Sequence, residues 1–234
     1  MNFEAADSNP LLAKSVWDKL RVIEQSCHSA LVGQRLFEVP EIPGRDIEVC
    51  AASQLPPKPG LSSEEGHARL LHDLASIELQ AMELGFRTLV ELSSDAPSCF
   101  REQLGEIILD EARHLRLCLE QIQRLGFEWG DWPSHLGLWS CVCADDSLLE
   151  RLVIVHRYLE GSGLDASDKI HRRLSGTLIP GTGEVVKLIA EEEVGHVLFG
   201  SKWFREFCQL DPSIFDSELE FKRIVGEVFP RLPR

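Results

Sequence analysis

The chain is short of several things, and each shortage removes a class of protein. It has one tyrosine, Tyr158, and two methionines in 234 residues. Nowhere do about 18 apolar residues follow one another, so no membrane-spanning helix is expected. Met1 to Ser15 lacks a basic segment leading into an apolar run, and reads as free of a secretory leader. Basic residues are also few. Lys and Arg number 24 against 38 Asp and Glu, a formal net charge of −14. That balance argues against general binding of nucleic acid or anionic membranes, which gain affinity from cations. A basic patch would be local, at Lys169, His171, Arg172 and Arg173. The seven cysteines, at 27, 50, 99, 118, 141, 143 and 208, are odd in number and show no framework spacing. They are expected to be reduced thiols. Cys141 and Cys143 have no second pair with which to build a tetrahedral metal site. The expected setting is soluble and cytoplasmic.

What is present is enough apolar content for one core. At 44% hydrophobic and 26% charged, the chain reads as a globular domain near the upper limit of single-core size. Its organising feature is a repeated motif. Asp110-Glu111-Ala112-Arg113-His114 and Glu192-Glu193-Val194-Gly195-His196 each place a glutamate and a histidine three residues apart, on one face of a helix. Glu64 and His67 share that spacing by accident; Glu64 stands in a first helical turn, where capping accounts for it. The other two pairs sit inside apolar stripes. Around Glu111 the stripe is Leu104, Ile107, Ile108, Leu115, Cys118, Ile122 and Leu125. Around Glu193 it is Val186, Ile189, Ala190, Val197 and Gly200. A carboxylate taken out of water calls for a counter-charge.

Two more glutamates complete the pattern. Glu78 lies on the stripe Leu71, Leu74, Ala81, Met82 and Leu89; Glu160 follows Leu149, Leu152, Val153 and His156. The spacings agree, since 111 − 78 and 193 − 160 both equal 33. The chain thus reads as two helix pairs, each with a lone Glu on its first helix and Glu-x-x-His on its second. That is the ligand set of ferritin-like di-iron and di-manganese carboxylate bundles, in which four carboxylates neutralise two divalent cations.

In chain order, the expected architecture is all-α. Residues 1–61 form an N-terminal helix from about Pro10 to Leu31, with Asn9 as cap, and then a proline-rich arm from Val39 to Gly60. Residues 62–234 hold the four-helix bundle and a C-terminal helical segment, Ile214 to Val228. Helix one of the bundle starts at Ser62 or Ser63, with Glu65 completing a capping box, and runs to Leu92. Its opposite face, Ser76, Gln80, Glu83, Arg87 and Glu91, is expected in solvent. Helix two runs from Ser98 to Leu125, and Gly126 stops it. The connection from Phe127 to Asp146, with Trp129, Trp132, Trp139 and His135, is the one long crossover; its tryptophans pin it down or wall a substrate cavity. Helix three begins at Ser147 and reaches Glu160, where Gly161 and Gly163 loosen or end it. Helix four follows Gly181 to Gly183 and ends near Gln209. His156, one turn before Glu160, is either packed or in contact with the ligands; His72 and His135 read as packing residues. Tyr158 faces away from Glu160, which weakens any tyrosyl-radical reading.

Several stretches together are more specific than any Glu-x-x-His: His72 to Leu84 (HDLASIELQAMEL), Asp110 to Arg116 (DEARHLR), Gly126 to Trp139 (GFEWGDWPSHLGLW), Leu159 to Asp165 (LEGSGLD) and Glu192 to Phe204 (EEVGHVLFGSKWF). Over roughly residues 40 to 210 the chain resembles a ferritin-like family of unassigned function, distantly like a tRNA isopentenyladenosine hydroxylase. The wider superfamily includes multicomponent monooxygenases, the ribonucleotide reductase radical subunit and ferritin. Where relatives often carry a histidine before Ile-Glu-Leu, this chain has Ser76. The resemblance implies a di-metal centre at Glu78, Glu111, His114, Glu160, Glu193 and His196, holding two iron ions or manganese at one or both places. It also implies crossed support, Asp110 to His196 and Glu192 to His114, with Arg113 and His156 in the same surrounding shell.

Two functions from different classes follow as expectations. One is an oxygen-activating oxidase or hydroxylase acting on a small organic substrate or modified nucleoside, using dioxygen and an electron donor, as a monomer or small oligomer. The other is ferroxidase or iron handling, which needs a similar centre but no organic substrate. A cavity beside the ligands favours the first; a hollow multimeric shell favours the second. A metal-free interaction module does not explain glutamates on every core stripe.

Overall fold

The computed structural model describes residues 9–232. The stretch before residue 9, read above as free of a leader, lies outside the described residues, as do residues 233–234 of the C-terminal unit. The described chain is all-helical, with no strand and only an isolated bridge between Val49 and Ser134. Seven α-helices follow in order: α1 (Val16–Leu31), α2 (Glu64–Leu92), α3 (Ser98–Arg124), α4 (Leu148–Leu152), α5 (Glu160–Leu174), α6 (Thr182–Leu210) and α7 (Ser217–Val228). Among the described residues, no helix is long and apolar enough to cross a membrane.

Helix limits follow their caps. Ser63, not Ser62, caps α2 by accepting from Gly66 N at 3.1 Å, so Glu65 falls one place short of the capping-box position. Gly126, at φ +81°, follows α3 in the left-handed conformation that ends a helix. The first helix starts later than its Asn-Pro signal suggests. Asn9 does cap Leu11 N through its side chain, but closes only one turn, and α1 begins after Ser15, whose Oγ accepts from Asp18 N.

The largest departure is in the middle of helix three. The helix does not break after Glu160. Val153–Leu159 wind as a π-helix, with Glu160 N donating to Val155 O five residues back, and α5 then continues through Gly161 and Gly163 to Leu174. The irregular turn lies just before Glu160, a placement that re-aims the residue following it.

The polar face of α2 is not in solvent either. Ser76, Gln80, Glu83 and Arg87 are buried. Glu83 receives the Lys19 ammonium at 2.9 Å and both arms of the Arg45 guanidinium, at 2.7 and 2.5 Å. Lys19 also donates to Pro10 O at 2.7 Å. Gln80 holds the 127–146 connection, donating to His135 O and accepting from Leu138 N and Trp139 N. Trp129 and Trp139 reach back to the arm, donating to Asp46 Oδ1 and Glu41 O at 2.9 Å each. These tryptophans therefore fasten arm and connection together over α2.

His72, on the same side of α2, stacks on Trp129 at 4.6 Å between ring centroids, and its Nε2 accepts from Gly130 N at 3.3 Å. Burial depresses its imidazole to about 4. An unfolded histidine titrates near ~6.5, so between those values the unfolded chain binds the extra proton and stability falls as pH falls. We expect His72 to cost up to about 3 kcal/mol of stability as pH drops from above ~6.5 to below ~4. Urea unfolding of the parent and His72→Gln across that range measures it: the parent should show the steeper loss.

Candidate metal centre

Four helical elements deliver the six candidate ligands. Glu78 comes from the core face of α2, Glu111 and His114 from successive turns of α3, Glu160 from the end of the π segment, and Glu193 and His196 from successive turns of α6. All but Glu193, which is partly covered, are buried. Gly200 permits the approach of α6 to the π segment, because a Cβ there would meet His156 Cβ at 2.5 Å.

The six side chains form two groups of four. Glu78, Glu111, His114 and Glu193 make one, and Glu111, Glu160, Glu193 and His196 the other; within each, one donor atom per residue lies within 4.8 Å of the rest. Glu111 and Glu193 belong to both. His114 Nδ1 stands 3.4 Å from Glu78 Oε2 and 3.5 Å from Glu193 Oε1. His196 Nδ1 stands 3.0 Å from Glu111 Oε1 and 3.3 Å from Glu193 Oε1.

The chemistry of these atoms is that of an ion site. Both Glu111 oxygens, the Nδ1 atoms of both histidines and Glu160 Oε2 are buried without a hydrogen-bond partner among the described residues. Buried polar atoms are nearly always satisfied, and a set of orphaned carboxylate and imidazole donors facing one point is what a divalent transition ion satisfies. The residues present fit a metal. Electrostatics agree. Burial raises the Glu78 carboxyl, and the nearby Glu111 and Glu193 add to it against the pull of His114. Burial likewise raises Glu160, against His156. For Glu111 burial is outweighed by His114 and His196, which hold the carboxyl below its ordinary value. Burial would lower His196, but Glu111 and Glu193 lift its imidazole to about 11. In the absence of an ion, protons on these carboxyls and imidazoles balance the charge, and a bound cation would displace them.

The surrounding residues divide unevenly. Glu192 stands 2.7 Å from His114 Nε2 in hydrogen-bond geometry. Asp110 approaches His196 Nε2 only to 3.7 Å, beyond hydrogen-bond reach. Arg113 ties the two acids together, donating to Asp110 at 3.1 Å and to Glu192. His156 Nδ1 lies 2.7 Å from Glu160 Oε1, so it contacts that carboxylate rather than simply packing.

Beside the carboxylates is a cavity of about 110 Å³, reached by Glu78, Glu111, Glu160 and Glu193 and otherwise walled almost entirely by apolar side chains. Leu138 of the connection forms part of it. The α5 wall, Gly163, Ala166, Ser167 and Ile170, is not evident from sequence, because the glycines after Glu160 suggest a break there. Only the return of small residues at helical spacing hints at it.

No solved structure matches the chain. An uncharacterized protein of Haemophilus influenzae (strain ATCC 51907 / DSM 11121 / KW20 / Rd) is 30% identical over 189 residues, covering 73% of this chain and 64% of that relative. The chain thus spans less than two thirds of the length of the curated relative it matches. Residues 12–234 match the family described as "Protein of unknown function (DUF455)", and the chain belongs to that family.

Proposed function

We propose that the chain is a ferritin-like carboxylate protein holding two iron ions, with manganese an alternative at either place, and that it is an oxygen-activating oxidase or hydroxylase. The observation that carries this is the pair of buried four-donor groups sharing Glu111 and Glu193 beside an apolar cavity. The order of elements supports it: α2 with α3, and the α4-to-α5 helix with α6, are two sequential pairs separated by the long 127–146 connection. A lone Glu on the first helix and Glu-x-x-His on the second of each pair is the ferritin-like di-metal pattern.

Glu78 and His114 would hold one ion, Glu160 and His196 the other, with Glu111 and Glu193 shared. Two ferrous ions held in this way supply the electrons and open positions that dioxygen chemistry on an organic substrate requires. The protein's own part is positioning. His114 donates its Nε2–H to Glu192, which fixes the tautomer that leaves Nδ1 free to hold an ion, and Arg113 holds Glu192 in place. His156 engages Glu160 Oε1 and leaves Oε2 buried without a hydrogen-bond partner among the described residues. The apolar walls keep water from the reacting face. Partners on this reading are a small organic substrate, dioxygen and an electron donor. All seven cysteines are free thiols, which suits a reducing cytoplasm.

Iron handling would use the same donors but has no need of the cavity. Anaerobic titration with ferrous ion, then oxygen, separates the two. Uptake should stop near ~2 ions per chain in a monomer or small oligomer, with oxygen consumed afterwards. Uptake continuing far beyond that ratio in a large assembly would contradict the enzyme.

A further inference from the structure

We propose that the gap between α2 and α5 is the binding site for the reacting part of the substrate, and that this part is an uncharged, short aliphatic group. The inference rests on the oxidase reading above and names its substrate class. The cavity of about 110 Å³ runs between Leu74, Ile77 and Ala81 of α2 and Gly163, Ala166 and Ile170 of α5, with the four carboxylates at its inner end. No Lys, Arg or His lines it; apart from the carboxylates, Ser167 is its one polar side chain. An anionic group would therefore enter with no counter-charge on the walls, and the charge of two bound dications is already matched by the four carboxylates, so a buried anion there costs several kcal/mol. Four charged groups of α5, Asp165, Asp168, Lys169 and Arg172, instead line a second, open groove of about 760 Å³ against α6, which shares only Ser167 with the cavity. That separation leaves the inner cavity apolar.

Size narrows the class further. An engineered apolar cavity of about 150 Å³ holds benzene, so the smaller space here suits a short chain better than a ring. Access is provided by the construction of α5. Only Glu160 and Leu174 of its fifteen residues are buried, and small residues face the cavity. A helix that buries so little apolar surface opens at low cost. Ile77, at 42% exposure, marks the mouth on the α2 side.

The test uses the full chain as purified, with metal content measured on every sample. Methyl resonances of Ile77, Ile170 and Ile189 are followed during titration with ethanol, 1-propanol and 1-butanol. Each added methylene should tighten binding about fourfold, the value of burying one methylene. Ala81→Phe and Ser167→Leu fill the gap from opposite walls, and each should weaken 1-butanol binding at least ~10-fold while the metal content stays at the parent's value. Two variants keep the test intact if one fails to fold. A flat alcohol series, or a full series in both filled variants, on protein holding two ions overturns this inference alone. A full series on protein that takes up no metal overturns the oxidase reading, and with it the assignment of the cavity to a reacting group.

Discussion

Glu111→Ala should empty both halves of the centre at once, whereas Glu78→Ala or Glu160→Ala should empty one. The difference follows from sharing. Glu111 and Glu193 each belong to both four-donor groups, while Glu78 and His114 serve only the first and Glu160 and His196 only the second. Removing a shared carboxylate leaves three donors in each group and one negative charge fewer between two dications, so both affinities fall together. Losing a terminal donor leaves the other group whole. Bound iron, measured by mass spectrometry on protein with unchanged helical circular dichroism, should drop from about two per chain to near zero for Glu111→Ala and Glu193→Ala, and to about one for Glu160→Ala or His196→Ala. Equal losses for shared and terminal glutamates would show that the donors do not act as two fused sites.

The largest stability effect is expected away from the centre, at Glu83. Its carboxylate is buried between Lys19 and Arg45 and joins α1, the arm and α2. Burial already pushes the Lys19 ammonium down, and Glu83 is the main group opposing that. Glu83→Ala would leave two buried cations without the carboxylate that pairs them, a change that costs about 3–5 kcal/mol when one member of a buried pair is removed. For contrast, Arg223 and Glu227 pair at 2.7 Å on the surface of α7. Such pairs contribute about 0–1 kcal/mol, so Glu227→Ala should be nearly silent. Chemical denaturation of both variants checks the comparison, and a Glu83→Ala loss below ~1 kcal/mol would mean that the pair is solvated in the working protein.

What the sequence made legible was local and periodic. Glu78, Glu111 and Glu193 each sit on an unbroken apolar stripe, so helical spacing alone places them toward the core, and the matched interval of 33 residues brings the pairs together. The same periodicity misplaced the other face of α2. Gln80, Glu83 and Arg87 look solvated because the groups that cover them, Lys19, Arg45 and the 127–146 connection, lie tens of residues away and carry no periodic signal. Their residue types were right for pairing; their partners were not local. The π segment was hidden for another reason. One extra residue in a turn changes no side-chain type, so Val153 to Leu159 reads as ordinary helix, and Gly161 and Gly163 draw attention to the wrong side of Glu160. The Asn9 cap shows a third limit: a correct local turn need not propagate, and α1 waits for Ser15.

On the proposed reading the six side chains hold two ions between them. Anomalous diffraction from crystals of the chain loaded anaerobically with ferrous ion measures this most directly. The geometry predicts two iron peaks about 3.5–4 Å apart, one beside Glu78 and His114, the other beside Glu160 and His196, with Glu111 and Glu193 reaching both. A single peak, or iron bound elsewhere with His114 Nδ1 and His196 Nδ1 facing none, would contradict it.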